Sequence, residues 1–230
     1  MHRLRACGRR LDQPVRWGNV RRLEPFSRHF GRERGTPIDR VYLEEFFTEH
    51  AADICGKVLE VRDPQYATAH GYDITAVDLI DIDSRNIEAT IVADLGVPDA
   101  LPTAAFTCAI VPQTLQYVGD PAIAIDNLWR CLEPGGVLLI TVPALSRVER
   151  GTRHADAWRM LVPGLRRLLE AGCPAAEPEV VGYGNLLATI AMMLGIAAEE
   201  LRADELAPCD PEYPIVVCGR VRKPMTDDSR

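Results

Sequence analysis

The sequence predicts an α/β protein built on a doubly wound, mostly parallel, seven-stranded sheet. Three observations carry that prediction. Short apolar runs alternate with stretches of helical periodicity along most of the chain, the pattern of strands joined by crossover helices. One run, Val137-Leu138-Leu139-Ile140-Thr141-Val142, is apolar almost without interruption, as a strand covered on both faces must be. Directly before it, Leu132-Glu133-Pro134-Gly135-Gly136 supplies residues that end a helix and turn the chain into that strand.

The elements follow in order. Residues 1–35 are rich in Gly and Arg with little periodicity and read as an irregular basic extension; residues 36–224 form the folded domain, and 225–230 a tail. Thr36-Pro37-Ile38-Asp39 is a helix start, with Thr36 at the N-cap, Pro37 at the first position and an acid three residues after the cap. Leu43, Phe46, Phe47, Ala51 and Ile54 share one face of that helix, and Gly56 ends it. Strands are expected at 58–61, 74–78, 89–94 and 105–111. Pro121 opens a helix whose Ile125, Leu128, Trp129 and Leu132 form one stripe. The fifth strand, 137–142, is stopped by Pro143. Residues 146–156 are polar and read as an exposed loop. A helix over 163–170 stopping at Gly172, a strand at 179–182, one long helix over 186–201 and a last strand at 215–221 complete the chain.

A length of 230 residues fits one domain with a sizeable core. The net charge of −7 conceals an asymmetry, because residues 1–40 hold eleven Arg against four acids and the rest is strongly acidic. Those arginines are interrupted by Leu, Trp, Val and Phe, so a packed or solvated extension ranks above a nucleic-acid arm. The seven cysteines are scattered singly, without zinc spacing and in an odd number, which points to reduced thiols and a reducing compartment. The N-terminus lacks the apolar core of a secretory signal. The longest apolar run, 186–198, is interrupted by Thr189 and Gly195 and is too short to cross a bilayer. A soluble, cytoplasmic protein without a membrane span is expected. His29, His50 and His70 stand at no metal-ligand spacing, so no metal is expected. Trp129 and the Met192-Met193 pair fall at helical core spacing.

In an open parallel sheet a ligand sits beyond the carboxyl ends of the strands, near the point where strand order reverses. Those ends are acidic here: Glu60 lies in the first strand, Asp78 ends the second and Asp94 ends the third. A single acid at a strand end is commonly a turn former or a helix cap. Three on successive strands suit an adenosyl ligand, in which one carboxylate accepts both ribose hydroxyls and another accepts from the adenine amino group.

Over roughly residues 39–221 the chain resembles the class I S-adenosylmethionine-dependent methyltransferases. Val58-Leu59-Glu60-Val61 resembles their opening strand and Ala76-Val77-Asp78 their second. Ile91-Val92-Ala93-Asp94-Leu95 resembles the segment whose acid faces adenine, and Ala105-Phe106-Thr107-Cys108-Ala109-Ile110-Val111 the fourth strand, followed by Gln113-Thr114-Leu115-Gln116 at the active-site rim. Arg34-Gly35-Thr36-Pro37-Ile38-Asp39-Arg40 and Tyr183-Gly184-Asn185 resemble a bacterial subgroup often found near glycosyltransferases. The resemblance implies S-adenosylmethionine as cofactor, bound by Glu60, Arg62, Asp78, Asp94, Leu95 and Gln113. Asp78 would take the ribose hydroxyls, with Asp81 as the alternative because the short crossover leaves the register open by a few residues. It also implies that the last strand inserts antiparallel between the fifth and sixth. The reaction implied is methyl transfer to a small-molecule or glycosyl acceptor, by O-methylation. A base helps when the acceptor is a hydroxyl. His154 and Asp156, on the loop where an acceptor would enter, are the catalytic candidates, although a lone loop histidine is commonly only solvated. Trp158-Arg159 after them matches a pair that the subgroup carries.

Two departures stand out. The family's opening strand leads into a glycine-rich turn where backbone approaches the cofactor; here Arg62-Asp63-Pro64-Gln65-Tyr66 contains no glycine. The crossover, residues 62–73, has only twelve residues and barely holds a helix. Two expectations for Arg62 stand side by side: its guanidinium holds the cofactor carboxylate, or it pairs with Asp63 or another surface acid. An NAD-dependent oxidoreductase is an alternative that would need Gly-x-Gly-x-x-Gly after the first strand, which is absent. A methyltransferase-like fold without turnover, serving as a partner or regulatory subunit, is the other. The missing glycines favour it, and the retained acids and Gln113 count against it.

Overall fold

Seven strands form one sheet: β1 (Gly56–Val61), β2 (Ile74–Asp81), β3 (Ile91–Val92), β4 (Phe106–Val111), β5 (Leu132–Pro143), β6 (Glu179–Tyr183) and β7 (Val216–Arg222). Their order is β3-β2-β1-β4-β5-β7-β6 in this computed structural model, which describes residues 16–150 and 155–225. β7 lies antiparallel between β5 and β6, and the pairs from β3 through β5 are parallel. The expected topology is therefore the observed one.

Helices α1 (Ile38–Glu49), α2 (Gln65–His70) and α5 (Leu186–Leu194) cover one face, and α3 (Pro121–Cys131) and α4 (Val162–Gly172) the other. A four-residue helix, α6 (Ala203–Leu206), follows α5. Side chains alternate across a strand, so β4 sends Cys108 and Ile110 to the α1/α5 side, and Ala109 and Val111 to the α3/α4 side. β5 divides its Val137 and Leu139 from Leu138 and Ile140 in the same way. Covering both faces is what requires the near-continuous apolar run. At the joint before it, a Cβ on Gly136 would stand 2.9 Å from the Glu133 carbonyl oxygen and 3.1 Å from that of Phe106, so only glycine fits.

Several elements differ from expectation for local reasons. α1 begins at Ile38 with Pro37 at the cap position, and Thr36 serves a tertiary contact instead: its hydroxyl donates to Glu199 at 2.7 Å. α1 stops at Glu49, and Gly56 opens β1 at φ +67°. The single long helix over 186–201 is broken, because Gly195 takes φ +71° against Ser27 and a short 3₁₀ turn, Ala198–Glu200, follows. β3 is two residues long, pairing only with Ile80 and Asp81 of β2. The crossover between β1 and β2 holds just the six residues of α2.

The segment before α1 is fastened to this broken region. Phe26 N–H donates to the Leu194 carbonyl at 2.7 Å, and Arg34 pairs with Glu200 through two bonds of 2.8 and 2.5 Å. Among the described residues the six cysteines are free thiols, no cluster suits a metal ion, and no helix is long and apolar enough to cross a membrane.

Candidate functional site

Strand order reverses between β1 and β4, so the connections leaving their carboxyl ends diverge and open a crevice. A cavity of about 980 Å³ lies there. The turns after β1, β2, β3 and β4 line it, together with the segment before α1, the first turn of α1 and the loop after β5.

The turn after β1 takes the conformation of a glycine without having one. Arg62 sits at φ +77°, and Asp63 N–H donates to the Val61 carbonyl at 3.0 Å. A three-residue turn of this hand is rare and strained for a residue with a side chain. It is held by Arg62 N–H donating to Ile80 at 2.9 Å and by the Arg62 carbonyl accepting from Asn86 Nδ2 at 2.8 Å. The Arg62 side chain is exposed along the cavity, and no partner, Asp63 included, engages its guanidinium among the described residues.

Glu60 does not reach the cavity. Its carboxylate is fully buried beneath α2 and accepts from the N–H groups of Tyr66 at 2.9 Å and Ala67 at 2.8 Å. It thus satisfies donors that the start of a helix leaves unpaired. Burial pushes its pKa up to about 7 against those two hydrogen bonds. The expectation of direct cofactor contact from Glu60 gives way to a helix-anchoring role.

Asp78 also falls outside the cavity. β2 continues to Asp81, which leaves Asp78 three residues short of the strand end, where it pairs with Lys57 at 3.0 Å. Burial acts to raise the Asp78 pKa, but bonds from Lys57 and Thr90 hold it below the ordinary value. The acid at the strand end, and in the cavity wall, is Asp81. Its two oxygens accept from Asp83 N–H at 2.9 Å and from Asn86 Nδ2 at 2.8 Å, which fixes the carboxylate and leaves lone pairs for a ligand. The Asp81 carbonyl accepts from Ala93 N–H at 3.1 Å and brings the β3 end alongside.

Asp94 and Leu95 line the cavity, Asp94 accepting from Gly96 N–H at 2.8 Å. Buried Asn127 on α3 donates to the Leu95 and Val97 carbonyls at 2.9 and 2.7 Å and so shapes this loop from behind. Gln113 lines the cavity at φ +44°, its N–H shared between the Thr141 carbonyl and hydroxyl, each at 3.0 Å.

The proposed catalytic pair fares differently. His154 lies outside the described residues. Asp156 is in the wall, but its side chain is 2% exposed and accepts two bonds from Arg159, at 2.5 and 2.7 Å, and one from Glu149 N–H at 2.6 Å. Burial works to raise its pKa, yet Arg159, the Glu149 N–H and Arg147 together hold it below the usual carboxylate range. Three donors thus tie this carboxylate into the loop after β5. That loop meets the segment before α1 where the Arg147 guanidinium stacks 3.9 Å over the Phe30 ring.

Among the described residues, the buried polar side-chain atoms without partners are Asp39 Oδ1, Gln116 Oε1, Arg147 Nε and Arg159 Nε. All four residues line this one cavity. Folded proteins leave few such groups, and here a polar ligand or water in the cavity would complete them. Two carboxylates at neighbouring strand ends suit the hydroxyls and amino group of an adenosyl cofactor. Asp39, Asn86 and Asn127 escaped the reading of the sequence as site residues; only Asp39 carried a signal, through its place in the Arg34–Arg40 motif.

A family model described as a methyltransferase domain matches residues 53–173. No match exists among curated proteins. Similar solved structures include an S-adenosylmethionine-dependent methyltransferase from Mesorhizobium loti, 16% identical with a TM-score of 0.52 over 81% of this chain and 98% of that one. The cyclase SpnF is also 16% identical with a TM-score of 0.52, over 88% of each chain. YcgJ from Bacillus subtilis is 12% identical with a TM-score of 0.50, over 79% of this chain and 99% of its own. At these identities the likeness is one of fold.

Proposed function

Since the chain belongs to the methyltransferase-domain family, as a class I enzyme whose cofactor is S-adenosylmethionine, we propose that the adenosyl part lies between Asp81 and Asp94 and that the methyl group passes to an oxygen of a small-molecule or glycosyl acceptor. The observation that carries this reading is the pair of carboxylates at the adjacent ends of β2 and β3, both oriented by neighbouring N–H donors and both in the cavity wall. Asp81 accepts from the ribose hydroxyls, Asp94 from the adenine amino group, and Leu95 and Gln113 flank the ring.

The cofactor brings a methyl group already activated on a sulfonium. The residues of the chain bind, orient and exclude water, and such positioning is the main aid to an in-line displacement. A cavity of about 980 Å³ is at the upper end of the range for small-molecule sites, which suits a nucleoside cofactor beside a small acceptor. Gln116, Tyr117, Ser146 and Arg147 give the acceptor end a polar lining. The segment before α1 contributes Phe30 and Arg32 to the wall and belongs to the catalytic unit together with residues 36–224.

The test is incubation with methyl-labelled S-adenosylmethionine and a panel of phenols, hydroxy acids and glycosides, reading labelled product and S-adenosylhomocysteine. Acceptor-dependent label transfer to oxygen is expected. Tight cofactor binding with no transfer to oxygen in any of these acceptors contradicts the proposed O-methylation.

A further inference from the structure

The motif Arg34–Arg40 is anchored at nearly every position. Arg34 holds Glu200, Thr36 holds Glu199, Pro37 pairs with Ala197, and Ile38 is fully buried. These contacts deliver the next two side chains, Asp39 and Arg40, to the cavity wall. Arg40 Nη1 donates to the Tyr66 hydroxyl at 3.1 Å, which joins the start of α1 to the start of α2, four residues beyond Arg62. The Asp39 side chain is only 14% exposed. Its Oδ1 is buried without a partner, and its Oδ2 stands 4.0 Å from Arg40 Nε, at the outer limit of an ion pair. A buried carboxylate left in this state is costly unless something supplies the missing partner.

The turn after β1, which the Arg40–Tyr66 bond and the charge of Asp63 acting on Arg40 bring near the start of α1, carries the opposite charge in the wall of the same cavity. Arg62, fixed by both backbone hydrogen bonds, presents a guanidinium without a partner among the described residues. An acid with one unpartnered oxygen and an unengaged guanidinium complement an α-amino acid group, which carries an ammonium and a carboxylate on one carbon.

We propose that Asp39 receives the ammonium group of the cofactor's amino-acid end, opposite Arg62 on its carboxylate. This rests on the cofactor reading above and deepens it: one side chain from the first turn of α1 and one from the turn before α2 grip the zwitterion in a chain whose first turn has no glycine. Burial pushes the Asp39 carboxyl above the ordinary range even beside Arg40 and Arg32, and an arriving ammonium favours the ionised form.

The test is titration calorimetry on wild type and Asp39→Asn with three ligands. S-adenosylhomocysteine carries both charges, its des-amino analogue only the carboxylate, and 5′-methylthioadenosine neither. Wild type is expected to bind S-adenosylhomocysteine at least about tenfold more tightly than the des-amino analogue, the scale of a hydrogen bond between charged groups. Asp39→Asn is expected to erase that gap while leaving 5′-methylthioadenosine affinity unchanged. Equal wild-type affinity for S-adenosylhomocysteine and the des-amino analogue overturns the proposal without recourse to any variant. So does an Asp39→Asn protein that binds S-adenosylhomocysteine as wild type does, or that loses all three ligands alike. Binding of 5′-methylthioadenosine to wild type reports separately on the cofactor reading, and its absence together with that of S-adenosylhomocysteine overturns both.

Discussion

Asn86 holds Asp81: its Nδ2 donates to the Asp81 carboxylate at 2.8 Å and, with its second hydrogen, to the Arg62 carbonyl at 2.8 Å. One amide thereby fixes the acid at the end of β2 and the strained turn after β1. Asn86→Ala removes both bonds and leaves Asp81 without its side-chain donor. Affinity for S-adenosylhomocysteine is expected to fall by about 1 kcal/mol, roughly a factor of five, with little change in the unfolding midpoint of the exposed loop that carries Asn86. Undiminished affinity measured by calorimetry speaks against this coupling.

Asp156 is read as a brace because three donors already occupy it. Asp156→Asn is expected to loosen the loop after β5, raising the acceptor KM more than it lowers kcat and exposing the loop to limited proteolysis. A general base would show the reverse, a collapse of kcat with the acceptor KM and proteolysis unchanged. Its lowered pKa means that the folded loop holds fewer protons than the unfolded chain in the acid range. The stabilisation is therefore complete above the ordinary aspartate value of about 3.9 and lost as pH falls below it.

Glu60 gives the opposite sign. Its pKa is raised to about 7, so between its ordinary value and 7 the folded protein binds more protons than the unfolded one. Stability is then greatest below that window and declines as pH rises through it. Glu60→Gln abolishes this dependence, and it also costs about 1–3 kcal/mol at low pH because an amide NH₂ faces a backbone N–H. Urea unfolding of wild type and Glu60→Gln at pH 5 and pH 8 checks both; a wild type equally stable at the two values, once other groups are matched by the variant, contradicts the assignment.

The sheet was readable because apolar periodicity reports burial. β5 is covered on both faces and shows it in a nearly unbroken run, and the joint before it follows from φ +82° at Gly135 and a close backbone approach at Gly136 that excludes a Cβ. The site was readable only where sequence position and strand end coincide. Asp94 and Gln113 reach the cavity wall that way; Asp78 lies outside it because β2 runs on to Asp81, and hydrophobic pattern does not mark where a strand leaves the sheet. In sequence Glu60 looks like a cofactor-binding acid and Asp156 like a catalytic one, and their partners, the α2 amides and Arg159, become visible only in three dimensions. The glycine-less turn likewise gave no hint that Arg62 takes a positive φ, since that conformation is imposed by bonds to Ile80 and Asn86.

The central claim, that the cofactor's ribose is held at the end of β2 in the cavity where strand order reverses, is tested most directly by titrating S-adenosylhomocysteine into wild type, Asp81→Ala and Asp78→Ala. Both acids lie on one strand, only Asp81 faces the cavity, and Asp78 is engaged with Lys57. Asp81→Ala is predicted to weaken binding by about 1.5–3 kcal/mol, and Asp78→Ala to bind as wild type does. Wild-type affinity in Asp81→Ala, or an equal loss in folded Asp78→Ala, would contradict the account.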